Sequence, residues 1–181
     1  MAKMLVRAAA SVVVIAAVAV SLGAADWMAA RPLGETAWRP HAAGGLSLEI
    51  PRSWQARHET SRGRTEIDGH QGERIVFVTL PPKAARAGAS AALRSTASQL
   101  WPEAEWGAVE RDATGSLRMR GRTQSLRGTC SLLWRDGTAV AALTLAPVGR
   151  ARMAEARFAH ALDTLRVTAD AALRVAAAGV R

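Results

Sequence analysis

The sequence predicts an α+β domain in which an antiparallel-rich sheet is flanked by helices. Three observations lead there. Asp136-Gly137, a two-residue turn signal, stands between the apolar runs Thr129–Arg135 and Thr138–Ala146. Arg74-Ile-Val-Phe-Val-Thr-Leu80 is apolar on both faces, as a strand covered on two sides must be. Two other stretches, Ser90–Trp101 and Arg152–Val167, carry apolar residues at helical rather than alternating spacing.

The chain starts with the basic Met1–Arg7, continues through the uncharged run Ala8–Ala25, and offers the small residues Gly23-Ala24-Ala25 to a signal peptidase. Residues 1–25 are therefore expected to be a signal peptide cleaved after Ala25, or a thin membrane anchor ending near Trp27. Either way the remainder is expected outside the cytoplasm, periplasmic or on the outer face of the inner membrane. No cysteine stands just after the apolar run, so a lipid-anchor cleavage site is not expected. Residues 26–43, with Arg31-Pro32, Gly34 and Arg39-Pro40, read as linker. Residues 44–167 read as one domain, since the chain beyond Ala25 can bury one core but not two.

Within that domain Gly44-Gly45 opens the alternating strand Leu46-Ser-Leu-Glu-Ile50, which Pro51 and Trp54 turn. A weaker strand runs over Gln55–Glu59, and another lies around Thr65–Ile67. Asp68-Gly-His-Gln-Gly72 is turn chemistry feeding the strand at Arg74. After Pro81-Pro82 a helix is predicted from Ser90, its cap, to Trp101, with Ala89, Leu93, Ala97 and Leu100 along one side and Pro102 as its stop. A three-residue loop, Ala113-Thr-Gly115 with Gly115 left-handed, joins Trp106–Asp112 to Ser116–Arg122; it pairs Val109 with Met119 and Glu110 with Arg118. Closing the Asp136-Gly137 turn pairs Trp134 with Ala139, Leu132 with Ala141 and Cys130 with Leu143, which places one apolar face on both strands. The last helix, Arg152–Val167, has the stripe Ala154, Phe158, Ala161, Leu162 and Leu165. Residues 168–181 form an Ala-rich tail.

The phrase Gly45-Leu-Ser-Leu-Glu-Ile50-Pro51-Arg-Ser-Trp54, the long apolar strand, the middle helix, the antiparallel meander and the Phe158/Leu162 stripe together resemble the PsbP/DcrB-like (Mog/PsbP-like) group. The resemblance spans roughly residues 44–167. It implies a small α/β/α sandwich of the exported bacterial type, acting mainly as a binding or scaffold domain. The shared phrase contains no catalytic residue to carry over.

Composition narrows the chemistry. The formal net charge is +9, and Lys3 and Lys83 are the only lysines, so arginine supplies the positive charge. Cys130 is the one cysteine, so an internal disulfide is impossible. It alternates with Leu132 and Trp134 and is expected to be buried and inert. None of the four histidines, His41, His58, His70 and His160, stands three or four residues from another, so no helical metal pair exists. No Gly-x-Ser-x-Gly, Ser-x-x-Lys or phosphate-loop pattern occurs. The expectation is no catalytic residue, no metal and no cofactor. A hydrolase built around His58 or His70, with Glu59 and Asp68 nearby, is the remote alternative; His160, near Asp163 on the polar side of its helix, is expected at the surface.

Two groups are candidates for binding. Arg118, Arg120 and Arg122 alternate along one strand and share a face, at about 7 Å between neighbours; Arg127 or Arg111 could join them, and Glu110 and Asp112 could neutralise them. Trp101 and Trp106 flank Pro102 and could form a surface patch that meets a partner or ligand, or sit at the rim of the core, while Trp54 and Trp134 fit core positions. The leading expectation is a non-catalytic, exported cell-envelope domain that binds a protein partner. A small-ligand or anionic-lipid binder using the arginine ladder is the alternative. Nucleic acid is not expected, because no aromatic platform interleaves with the basic residues. Membrane contact through residues 8–25 is expected if that segment stays uncleaved.

Overall fold

A computed structural model describes residues 37–59, 64–81, 85–86 and 88–168. The expected export segment, most of the expected linker and nearly all of the tail lie outside them. Ten strands and two α-helices are present among the described residues: β1 (Trp38–Ala43), β2 (Leu46–Pro51), β3 (Gln55–Glu59), β4 (Arg64–Asp68), β5 (Arg74–Leu80), α1 (Ala89–Leu100), β6 (Glu105–Arg111), β7 (Leu117–Arg122), β8 (Leu126–Arg135), β9 (Thr138–Pro147), α2 (Ala151–Asp163) and β10 (Arg166–Val167).

The larger sheet is antiparallel throughout, in the order β3-β4-β5-β9-β8-β7-β6. Its centre is β9, buried from Thr138 to Ala146. Alternation sends Val140, Ala142 and Ala146 to one face and Ala139, Leu143 and Leu145 to the other. On the first face they meet Ile75, Phe77, Trp54 and the Ala154, Phe158 and Ala161 stripe of α2. On the second, Val76, Met119, Cys130 and Leu132 pack under Leu93 and Ala97 of α1. The layers are thus helix, sheet, helix, as expected.

A small sheet, β1-β2-β10, completes the α2 side and corrects two boundaries. The expected linker ends in a strand: Trp38–Ala43 pairs residue for residue with β2 through Gly44 and Gly45, both at positive φ as a two-residue hairpin turn requires. Pro40 is tolerated because β1 is the edge of its sheet. The last helix stops at Asp163 rather than Val167. There the Thr164 hydroxyl lies 3.0 Å from the His160 carbonyl and accepts from the amide of Glu49 in β2 at 3.0 Å. Leu165 remains in the core, and Arg166–Val167 becomes a strand against β2. Thr168, the first residue assigned to the tail, bonds Gly45 through its amide at 2.8 Å.

The β6–β7 and β8–β9 hairpins have the expected registers, including Val109↔Met119, Glu110↔Arg118 and Cys130↔Leu143. Gly115 is left-handed at φ 83°. Helix α1 begins one residue before the expected Ser90 cap, after Gly88 and without a side-chain cap. Trp134 departs from its expected core position. It keeps its partner Ala139 but stands at the end of the hairpin, 38% exposed, with the Arg86 guanidinium 5.5 Å from its ring centre.

Candidate functional site

The two groups singled out in the sequence lie on opposite faces of the larger sheet. Leu117, Met119 and Gly121 of β7 face α1, so Arg118, Arg120 and Arg122 face the other way. Towards β7, the cover that helix α2 gives this face reaches β9 and β8. Beyond it the arginine heads reach solvent, with side-chain exposure rising to 75% at Arg122.

Their neighbours are fixed by register. Glu110 stands opposite Arg118 and Glu105 opposite Arg122 on β6; Ser131, Thr129 and Arg127 stand opposite Arg118, Arg120 and Arg122 on β8. Glu110 approaches Arg118 at 3.5 Å and Arg120 at 4.0 Å, while Arg122 donates to Glu105 at 3.1 Å. Between these pairs β6 is irregular, with the register shifting from Trp106 to Val109. The small residues Gly107 and Ala108 occupy that bulge and leave Arg120 without a bulky cross-strand neighbour. Of the other arginines proposed to join the ladder, Arg127 does and Arg111 does not. Arg111 pairs with Leu117, on the α1 side, and donates to the Gly115 carbonyl. Asp112 is held by the β6–β7 loop: its carboxylate accepts from the Thr114 hydroxyl at 2.7 Å and from the amides of Thr114 and Ser116. Those bonds, the hydroxyl's first, keep it below the usual carboxylate range.

Trp101 and Trp106 do not form a surface patch. Trp101 is 2% exposed and Trp106 half-buried, their rings edge to face at 5.6 Å. The reason is a cross-strand glycine pair, Gly121↔Gly128, on the α1 side of β7 and β8. The Trp106 ring sits where a Gly121 Cβ would be, and the Trp101 ring lies 2.9 Å from a Cβ built at Gly128. The missing side chains make a hollow that the two indoles fill. Trp101 is part of the core and Trp106 packs against it, a correction to the surface patch offered for them.

Strand register sets His58 apart from Asp68. His58 pairs with Thr65, at the far end of the β3–β4 ladder from Asp68, and His70 is an exposed turn residue. His160 is half-buried rather than fully at the surface, its ring 3.9 Å from that of Trp38 and its Nε2 2.8 Å from Glu49. Beside it is a shallow cleft of about 410 Å³ lined by His41, Ser47, Glu49, Thr164 and Arg166, among others. Burial, then the nearby Arg39, lowers the pKa of His41. Among the described residues no three His, Cys, Asp or Glu side chains are placed to hold a metal ion. Cys130 is enclosed under α1, and burial pushes its thiol up to about 12.

One pair went unforeseen. Arg157 of α2 is buried and donates to Glu73 at 2.9 Å, Glu73 itself being 2% exposed. The other Glu73 oxygen accepts from the amide of Gln71 at 3.0 Å, so the pair ties the turn before β5 to α2. Its signal in the sequence was positional: Arg157 falls within the spacing of Ala154, Phe158 and Ala161, where an arginine needs an acid.

Neither a family model nor a curated protein sequence matches the chain. Solved structures do. The solution structure of cyanobacterial PsbP (CyanoP) from Synechocystis sp. PCC 6803 is 11% identical with a TM-score of 0.49, over 75% of this chain and 95% of that one. The crystal structure of LpqN, described as involved in cell envelope biogenesis of Mycobacterium tuberculosis, is 12% identical with a TM-score of 0.41, over 73% of this chain and 91% of that one. The likeness is one of fold alone. It says nothing about activity, location or partners.

Proposed function

We propose that this chain is a non-catalytic, exported domain that binds a protein partner in the cell envelope. The observation that carries the proposal is the face of β6, β7 and the Arg127–Ser131 part of β8, which α2 leaves open among the described residues. Its charged side chains are ordered by strand register and its backbone is fixed by the ladder. An exposed, charged sheet face suits a macromolecular surface; small ligands favour concave, mostly apolar pockets. The export half of the proposal rests on the basic start, the uncharged run Ala8–Ala25 and the small residues that end it.

Crosslinking in intact cells with subsequent purification from membranes tests it. The wild-type chain is expected to recover a protein partner that Arg120→Glu/Arg122→Glu loses. Recovery of lipid without protein would overturn the proposal. The excess of arginine on the face favours one second reading, binding to an anionic lipid surface. In that case association with phosphatidylglycerol vesicles would fall with salt and vanish in the same double variant.

A further inference from the structure

We infer that the arginine face recognises carboxylates on an extended segment of the partner, and that Glu105 and Glu110 occupy their places in the free domain. This deepens the partner-binding proposal and rests on it.

The charges are unbalanced in a particular way. Arg118, Arg120, Arg122 and Arg127 share the face with Glu105 and Glu110. Both resident carboxylates are well exposed, with side-chain exposures of 78% for Glu105 and 48% for Glu110. Exposed pairs of this kind are weak and easily exchanged. Glu110 is shared between Arg118 and Arg120 and reaches the latter only at 4.0 Å. The Arg127 side chain makes no hydrogen bond or ion pair among the described residues, yet the residue stands directly across the ladder from Arg122. Like charges in that position repel, and an anion set between them removes the repulsion.

Spacing and surroundings select the class of anion. Alternate residues of an extended segment lie about 7 Å apart, the repeat that also separates Arg118, Arg120 and Arg122 along β7. A segment with acids at every second position can set one carboxylate against each guanidinium, which binds such groups bidentately. A lipid surface fits less well, because its continuous negative charge would also meet Glu105 and Glu110. No large apolar side chain stands among the arginines to enter a bilayer; their neighbours on β8 are Thr129 and Ser131.

The test uses the full chain and two labelled decapeptides of equal charge, one alternating Glu with Ser and one with its Glu residues in a single block. Binding is read by fluorescence anisotropy at two salt concentrations. The alternating peptide is expected to bind several-fold more tightly than the block. Arg120→Glu/Arg122→Glu is expected to cost at least tenfold, and Arg52→Glu/Arg94→Glu, an equal charge change at exposed sites elsewhere, less than twofold. Glu105→Gln, which frees Arg122, is expected to tighten binding about threefold. Equal losses in the two double variants, a Glu105→Gln protein that binds no better, or binding to phosphatidylglycerol vesicles but not to the peptide would each overturn the inference. A partner recovered by crosslinking that Arg120→Glu/Arg122→Glu still binds would also sink it, while leaving partner binding itself intact. Peptide binding as described with no protein recovered from cells would instead count against the broader proposal.

Discussion

Replacing Gly128 by alanine adds a single methyl group to the hollow that holds Trp101. That methyl would lie 2.6 Å from the Thr144 carbonyl oxygen and 2.6 Å from Leu145 Cδ2, as well as 2.9 Å from the Trp101 ring. Leu145 can change rotamer, but Thr144 is backbone in β9, directly hydrogen-bonded to β8 along their shared ladder. Relief therefore means parting the two central strands or tilting an indole packed against Trp106. Overpacking of a close-packed core costs roughly 1–3 kcal/mol, and a backbone obstacle places this site at the upper end, about 3 kcal/mol. For a domain of this size that corresponds to a fall in Tm of about 10 °C. Urea and thermal unfolding, monitored by circular dichroism and tryptophan fluorescence, measure it. The three atoms nearest a Gly121→Ala methyl all belong to the Trp106 ring, which is half-buried and can swing outward, so about 1–2 kcal/mol and a red-shifted emission are expected. Gly149→Ala meets nothing within 4 Å and should stay within about 0.5 kcal/mol of wild type. A Gly128→Ala protein as stable as Gly149→Ala would refute the account of the hollow.

Three further outcomes rest on burial and hydrogen bonding elsewhere in the domain. Glu73→Gln or Arg157→Met leaves a buried partner uncompensated and should cost about 3–5 kcal/mol, whereas the double variant should recover part of that loss in a double-mutant cycle by urea unfolding. The Cys130 thiol, raised to about 12 in the folded state, should resist iodoacetamide at pH 8 until urea unfolds the chain. Because its folded pKa lies above the unfolded one, Cys130 contributes stability that is complete below about pH 9 and lost as pH rises towards 12; Cys130→Ala should flatten that alkaline limb. Asp112 has the opposite sign: its pKa is depressed, so its contribution is present above the unfolded value of 3.8 and lost as pH falls through the folded one. Asp112→Asn should show less stability lost on acidification, seen in melts taken at descending pH.

Local chemistry made the hairpins legible. Asp136-Gly137 and Gly115 fix both loop length and handedness, and apolar alternation then admits only one register. The core stripe of α2 could be read for the same reason. What escaped depended on residues far apart in the chain. Nothing in Trp38-Arg-Pro-His-Ala-Ala43 alternates, and it becomes a strand only because β2 offers an edge. The end of α2 was misplaced because Leu165 keeps helical spacing, whereas Thr164, bonded to Glu49 across the fold, ends the helix. Trp101 and Trp106 looked like a surface pair around Pro102, since nothing local to them reveals the glycines beneath. For the arginine face, alternation alone aligned the three arginines of β7. That Arg127 joins them and Arg111 does not is a matter of register across three strands.

The small sheet also bears on the order of events during synthesis. Strand β2 belongs to the first part of the described chain and takes as a partner β10, the last of the described strands. Until Val167 has emerged, Leu46 lacks its neighbour and the core face beneath α2 stays open. Pairings between such distant segments form slowly, because the chain loses loop entropy before the contacts repay it. A domain in which an early strand pairs with a late one in this way completes its small sheet only once the segment holding Arg166 and Val167 is free to fold.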